Sequence, residues 1–248
     1  MRAAPLVALV LLALLIVGPA HAQTAGGSLR GLVPSPNQPQ EMAAALKLLL
    51  GLSVLSLAPA LLVMLTCFTR IIIVLSFLRS ALGTQQTPPN AILVGLALFL
   101  TFYIMYPTWE QVDQQAVQPY LQGKLKFEAA LARGAQPVHG FLFRQTREKD
   151  IALFLSLGRL RRPAQPSDIP LRALVPAFIL SELRSGFQIG FVLFIPFVVV
   201  DLVVASVLMS MGMMMLPPVM ISLPIKILLF VMVDGWHLIT QSLVLSFV

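Results

Sequence analysis

The sequence predicts an all-α, membrane-associated protein built from kinked helical hairpins, with a small helical periplasmic domain inserted between them. Of its 248 residues, 58% are hydrophobic and only 11% are charged, whereas a soluble domain has roughly 25% charged residues. The mean hydropathy is +0.88. The charges are also unevenly placed, since residues 185–248 hold only three while residues 108–184 hold eleven Lys or Arg and seven Asp or Glu. This composition argues strongly against a water-soluble enzyme.

The first 22 residues are typical of a cleaved secretory signal peptide. Arg2 precedes an apolar run that ends at Val17, and Ala20 and Ala22 are the small residues of a cleavage site. An uncleaved anchor is the alternative, but the run is too short to span a hydrocarbon core about 30 Å thick. We therefore expect residues 23–42, rich in Gly, Pro, Ser and Gln, to form a flexible periplasmic tail.

Residues 43–107 predict a first apolar helical hairpin. Leu48 to Phe68 is a charge-free run of 21 residues, which is long enough for one membrane crossing. Pro59 is expected to kink this helix. Arg70 closes this crossing, and a polar turn that contains Arg79, Gly83 and Pro88–Pro89 follows. Asn90 to Tyr106 then predicts a second, shorter crossing that ends at Pro107.

Residues 108–184 predict a polar helical domain on the periplasmic side. Apolar residues near a 3.6-residue period predict a helix from about Phe141 to Leu157. The net charge of this region is +4, eleven basic minus seven acidic residues. That charge does not oppose export, because loops longer than about 60 residues cross largely regardless of charge. We expect short helices that mediate self-association.

Residues 185–248 predict a second apolar, kinked hairpin. Its two stretches, Gly186 to Leu216 and Val219 to Val248, are interrupted by Pro196 and Pro224. Both are longer than a straight crossing requires. Such interrupted helices are expected to pack mainly against protein rather than lipid.

Charged residues in and just before this last region are the strongest functional candidates. They are Glu182, Arg184, Asp201, Lys226 and Asp234. A charge at the centre of a spanning helix costs about 3 to more than 10 kcal/mol unless it faces protein or water. Lys226 and Asp234 would be about 12 Å apart on a continuous helix, too far to pair directly. We favour subunit-interface or buried ion pairs that lock helices together; a proton or ion relay is the alternative.

A methionine cluster follows the third apolar segment. Its members are Met209, Met211, Met213, Met214 and Met215, five of the eleven methionines in the chain. Methionine is unbranched and flexible, so the cluster predicts a deformable apolar seal, or gasket, around a pore. Core filling at a helix turn is the alternative.

Three small residues have packing interpretations. Gly186 and Gly190 have the spacing that allows close helix packing, although chance in an apolar helix explains it equally well. Cys67 is the only cysteine, which excludes an internal disulfide. We expect it to be a small buried hydrophobe.

Motifs for catalysis and cofactor binding are missing from the sequence. It has no phosphate-binding Gly-rich loop, no His-Glu-x-x-His motif and no Gly-x-Ser-x-Gly elbow. His139 and His237 have no Cys or His neighbour at ligand spacing. The densest basic cluster, around Arg161, is too short for a nucleic-acid stripe. We therefore expect no enzyme activity, no cofactor, no metal site and no nucleic-acid partner.

Several segments together carry a family resemblance. They are Phe68–Val74, Leu78–Thr84 with Pro88–Asn90, Ser181–Leu183 with Phe187–Phe191, Asp201–Met209 and Val233–Trp236. These segments resemble the FliP/SctR family, the export-gate proteins of bacterial flagellar and injectisome type III secretion systems. The likeness extends from about Leu48 to Val248. The signal peptide and Leu96–Phe102 are similar to the flagellar branch.

The resemblance implies a homo-oligomer, a pentamer in that family, in the inner membrane and on the periplasmic side of the flagellar basal body. It implies assembly with FliQ and FliR into a closed channel that contacts membrane lipid, works with FlhA and FlhB, and passes unfolded flagellar proteins. The methionine cluster would lie at the narrowest point. An ion- or proton-coupled transporter that uses the intramembrane acidic residues is the alternative, and an intramembrane enzyme is a distant third.

Overall fold

The computed structural model describes residues 39–84, 86–161, 163, 165–213 and 216–247. The predicted signal peptide with Ala20 and Ala22, most of the predicted tail, and Met214 and Met215 lie outside the described residues. The chain divides into two compact units, Met1–Ser56 and Leu57–Val248. In the first unit the described residues are helical; the packing described below is that of the second unit.

Every regular element among the described residues is helical, and none of those residues is in a strand. The helices are α1 (Pro39–Met64), α2 (Phe68–Ala81), α3 (Asn90–Val112), α4 (Gln118–Leu121), α5 (Phe127–Gln145), α6 (Glu148–Leu157), α7 (Leu171–Ser210), α8 (Pro218–Met232) and α9 (Gly235–Leu245). A π-helical turn, Asp113–Val117, joins α3 to α4, and a 3₁₀ turn, Pro166–Asp168, precedes α7.

Two stretches of the described chain are long and apolar enough to cross a membrane. They are Asn90–Leu121, which runs from α3 through α4, and α7. The pair α8 and α9 is a third candidate, although the two helices are bent by 65° relative to each other. The predicted all-α, membrane-associated fold class is thereby confirmed.

Helix α2 lies at the centre of the second unit, packed against both α3 and α7. Its residues Ile71, Val74 and Leu78 are fully buried. They belong to one apolar core that also includes Phe178 of α7 and Leu243 of α9. Helices α5, α6 and α8 pack around α7 and complete this core.

The boundaries of the first predicted hairpin were wrong. The predicted crossing Leu48 to Phe68 is divided, because α1 ends at Met64 and α2 begins at Phe68. The segment interpreted as a polar turn is mostly α2, which contains Arg70 and Arg79. These charges do not end the helix, since Arg70 is buried among hydrogen-bond acceptors and Arg79 donates to Asn90 Oδ1 at 2.6 Å.

Pro107 also does not end its helix. Helix α3 continues through it to Val112. A proline removes a single N–H donor, so a helix can pass through it when its other hydrogen bonds persist. Pro59, Pro176, Pro196 and Pro224 lie inside helices in the same way.

The predicted helix from Phe141 to Leu157 is two helices. The chain leaves helical geometry at Thr146, whose ψ is 132°, and α6 starts two residues later. The break is held by side chains, because Thr146 Oγ1 donates to Leu142 O at 2.6 Å and Arg147 N donates to Ser181 Oγ at 3.0 Å. The apolar residues do follow a helical period in both helices. The break between them depends on contacts with residues distant in sequence, which the period does not show.

Helix α7 starts at Leu171, well before the predicted start of the third apolar stretch. The polar residues Ser181 and Glu182 lie within it and are fully buried. Both have polar partners on other helices, so their polarity does not mark a loop.

Candidate functional site

The most deeply buried charged group is the pair formed by Arg70 and Glu182. Arg70 is 4% exposed on α2, and Glu182 is fully buried on α7. Arg70 Nε donates to Glu182 Oε2 at 3.1 Å, and Arg70 Nη2 donates to Glu182 Oε1. This two-point contact uses the planar guanidinium to match a carboxylate, the strongest geometry for such a pair.

The remaining donors of Arg70 also have acceptors. Nη2 donates to Gln145 Oε1 at 3.2 Å, and Nη1 donates to Ser246 O at 2.9 Å and to Ser246 Oγ at 3.1 Å. The ring of Phe247 covers the guanidinium, with its centroid 3.9 Å from Cζ. These contacts, hereafter the Arg70 cluster, occupy all five N–H groups of the side chain. A buried charge is tolerated when its hydrogen bonds are complete.

Glycines allow α2 and α7 to approach closely beside this cluster. A Cβ at Gly186 would lie 3.1 Å from Ile73 Cγ2, and a Cβ at Gly190 would lie 2.6 Å from Phe77 Cγ. Phe77 also packs edge-to-face on Phe187, with ring centroids 5.4 Å apart. Gly186 and Gly190 therefore line the face of α7 that contacts α2.

A second ion pair joins α8 to α7 and α2. Lys226 is 6% exposed, and its Nζ donates to Asp201 Oδ2 at 2.6 Å and to Ala81 O at 3.1 Å. The Asp201 side chain is 40% exposed. Its Oδ1 is nevertheless buried and has no hydrogen-bond partner among the described residues. Both charges thus meet within one chain, at the end of α2 opposite the Arg70 cluster.

A third polar group fastens α6 to α7. Asp150 is 3% exposed and accepts a hydrogen bond from Ser181 Oγ at 2.6 Å. Arg184 is exposed, with Nη1 3.8 Å from Asp150 Oδ1. Arg147 donates to Ser185 Oγ at 3.4 Å and to Gln188.

Asp234 is exposed and lies at the bend between α8 and α9. Its φ is +51°, a left-handed conformation that Asp adopts more readily than most residues. Its carbonyl accepts from Leu238 N at 3.2 Å. Gly235 follows it, and a Cβ there would lie 2.2 Å from the Phe230 ring, so no side chain fits. Lys226 and Asp234 are therefore on opposite sides of a helix break.

The methionine cluster begins at the end of α7. Met209, Met211 and Met213 are all exposed, at 59%, 65% and 39%. Gly212 has a φ of +74° in the turn that ends the helix, a conformation that favours glycine. This turn presents soft apolar side chains that have no cover within the described chain.

The described residues contain no group of three or more His, Cys, Asp or Glu arranged to hold a metal ion. His139 Nε2 lies 2.8 Å from Ile169 O. Cys67 is fully buried, with Sγ 3.8 Å from Thr101 O.

Sequence reasoning missed Arg70 and Asp150 as site residues. Arg70 follows a long charge-free run, a position that also fits the end of a membrane crossing, so nothing local separates the two interpretations. The available signal was Glu182, which needed a positive partner at the same depth. Asp150 gave less signal, because it lies among exposed charges in α6.

Comparison with known proteins gives consistent matches. A model described as the FliP family matches residues 51–243, a range that contains both buried ion pairs. The flagellar biosynthetic protein FliP of Bacillus subtilis (strain 168) is 54% identical over 213 residues, covering 86% of this chain and 96% of that protein. Proteins of the same name are 53% identical over 214 residues in Pectobacterium carotovorum subsp. carotovorum, covering 86% and 83%, and 46% identical over 205 residues in Aquifex aeolicus (strain VF5), covering 82% and 86%.

Proposed function

The chain belongs to the FliP family, and from that membership we propose that it is a non-enzymatic channel subunit of the flagellar type III export apparatus. Several copies, five by the family resemblance, assemble with FliQ and FliR in the inner membrane and on its periplasmic side. The assembly passes unfolded flagellar proteins outward, with FlhA, FlhB and other components supplying energy and cargo. The name of these relatives, flagellar biosynthetic protein FliP, supports a role in building the flagellum.

The single observation that carries the channel role is the exposed methionine turn after α7. Met209, Met211 and Met213 together expose apolar surface at one turn. A concentrated patch of exposed apolar side chains marks an interaction site. Unbranched thioether side chains repack around irregular shapes without a fixed fit. The methionine turns of several copies would form a ring. The same side chains would seal this ring when the pore is empty and would fit around an unfolded chain when one passes through.

The way the chain satisfies its charges supports a structural role for them. Lys226 is paired with Asp201, and Glu182 with Arg70, so the charges in these two pairs have fixed opposite partners. A relay needs groups that exchange protons along a path. Exposed apolar residues such as Phe187, Phe191 and Leu202 leave a large surface of α7 for neighbouring subunits or lipid.

Ion leakage through the assembled complex tests the gasket. We would replace Met209, Met211 and Met213 by Ala together, co-express the variant with FliQ and FliR, and measure small-ion conductance of the purified complex in liposomes. Met232→Ala is the matched control, since Met232 is 77% exposed at the end of α8. The triple variant should leak while the control stays closed. Equal, low conductance of both would refute the gasket role.

A second candidate function is an ion- or proton-coupled transporter. One observation favours it: Asp201 Oδ1 is buried without a hydrogen-bond partner among the described residues, which leaves this oxygen available to bind a proton. Asp201→Asn and Asp234→Asn would then abolish transport while the complex still assembles. Loss of the complex on detergent extraction would instead support the ion pairs as structural.

A further inference from the structure

Helices α8 and α9 are attached to α2 by polar contacts at two separate points. Lys226 of α8 donates to Ala81 O, at the end of α2. Arg70, near the start of α2, donates to Ser246, just after α9. These two points on α2 are eleven residues apart, about 16 Å along a helix axis. Two long side chains therefore tie the bent pair to the two ends of α2.

The attachment beyond α9 consists of Ser246 and Phe247, hereafter the strap. Arg70 donates to both oxygens of Ser246, and Gln145 Nε2 donates to Phe247 O at 3.0 Å. Two of these three acceptors are main-chain carbonyls. The strap is only half-buried, whereas Arg70 beneath it is 4% exposed.

The bend between α8 and α9 has the features of a hinge. The two helices are bent by 65° relative to each other there, and the bend contains Asp234 at positive φ followed by Gly235. Hinges are short segments at the ends of elements that absorb changes in φ and ψ. Beyond the bend, α9 buries one stripe, Ile239 and Leu243, in the same apolar core as Cys67.

We propose that α9 is an arm that pivots at the bend and closes against the apolar core, and that the strap fastens its end to α2. Lys226 anchors α8, and the bend at Asp234 is the pivot. When the strap leaves, two N–H groups of Arg70 and one of Gln145 lose their acceptors in a buried place. The closed arm is therefore strongly favoured, and the strap contacts set how often it opens. Arm opening is a property of a single chain and does not depend on pore formation.

The native thiol of Cys67 reports on this motion. It is fully buried, three residues before Arg70, and is the only cysteine in the chain. In the closed state a maleimide reagent cannot reach it. Opening of the arm would remove Ile239 and Leu243 from the core that also contains Cys67, so we expect faster labelling.

The experiment measures Cys67 labelling in the full chain held in lipid nanodiscs, with an SDS-denatured sample defining complete reaction. Strap variants are Phe247→Ala and Gln145→Leu; the matched control is Leu245→Ala, an exposed α9 side chain. Each strap variant should be labelled about tenfold faster than the parent chain. Phe247→Ala removes the ring that covers the Arg70 guanidinium, and Gln145→Leu removes the hydrogen bond to Phe247 O; the loss of either contact is expected to have an effect of about this size. The control should match the parent.

Hydrogen–deuterium exchange on the same variants separates arm opening from general unfolding. Amides of α9 should exchange faster in the strap variants, while those of α6, which packs on α7, keep the parent rate. Unchanged labelling and unchanged α9 exchange would overturn the proposal. Faster exchange in α6 and α9 together would also overturn it, since the arm would then not move as a separate unit.

Discussion

Replacing Gly190 by Ala tests the close packing of α2 on α7. The added Cβ would lie 2.6 to 2.9 Å from Phe77 Cγ, Cδ2 and Cβ, atoms near the root of the side chain that cannot swing away. Any shift of Phe77 would also disturb its edge-to-face contact with Phe187, 5.4 Å between centroids. Overpacking of this kind costs about 1–3 kcal/mol.

A gain in helix propensity offsets part of this cost. Ala is favoured over Gly inside a helix by about 0.5–1 kcal/mol, so the net loss for Gly190→Ala should be about 0–2.5 kcal/mol. Thermal unfolding of the purified chain in detergent, followed by circular dichroism, should show a midpoint lowered by up to about 10 °C at this chain length.

Gly95→Ala is the matched control, because Gly95 lies inside α3 with nothing within 4 Å of the added Cβ. This variant should be more stable than the parent by the propensity gain alone, about 0.5–1 kcal/mol. Adding Phe77→Ala to Gly190→Ala should recover part of the loss, which gives a favourable coupling energy in a double-mutant cycle. If Gly190→Ala melted as high as Gly95→Ala, the close approach inferred for α2 and α7 would be wrong.

Three further predictions concern charged residues. Glu182→Gln should lower the free energy of unfolding by about 3–5 kcal/mol, because it leaves a buried guanidinium without a counter-charge. The control Arg184→Gln, at an exposed residue, should change the free energy of unfolding by less than about 0.5 kcal/mol. Similar losses in the two variants would contradict the argument from burial. Lys226→Met should cost about 1–3 kcal/mol by leaving a buried carbonyl unpaired. Asp201→Asn should cost more, because it leaves the buried ammonium of Lys226 without its counter-charge; the reverse order in denaturant titration would refute this. Asp234→Gly should unfold no more easily than the parent, and Asp234→Ile should lose about 1–2 kcal/mol, since a β-branched residue resists positive φ; equal stability of the two would show that backbone conformation is unimportant there.

The sequence was sufficient to predict the fold class and the places where charges require protein neighbours. Low charge and long apolar runs dictate helices, because backbone groups in lipid must be satisfied within the segment. The cost of burying a charge likewise singled out Asp201 and Lys226 by their positions in apolar stretches, with Glu182 as a further candidate just before them. The fold class was confirmed, and the structure brings Asp201 and Lys226 together within one chain.

Helix boundaries were harder, because they depend on partners distant in sequence. Arg70 was interpreted as the end of a crossing, yet it lies inside α2, where Glu182 and Gln145 accept from it. The break at Thr146 follows from Ser181, 35 positions later, binding the next backbone N–H. No local pattern encodes either contact, and for the same reason the sequence could not show which helix Lys226 would reach.

The Arg70 and Glu182 pair selects one alignment of α2 along α7. Gly186 and Gly190 lie four positions apart on α7, and each leaves room for a side chain of α2. If α2 slid along α7 by one helical turn, about 5.4 Å, Phe77 would still lie opposite a glycine, Gly186 instead of Gly190. Van der Waals fit alone would therefore discriminate poorly between the two arrangements. The slid arrangement would place the Glu182 carboxylate beside the apolar side chain of Ile73. The Arg70 guanidinium, its counter-charge, would then lie a full helical turn away. An interaction that adds little net affinity can in this way forbid a mispacked neighbour state that apolar surfaces would accept.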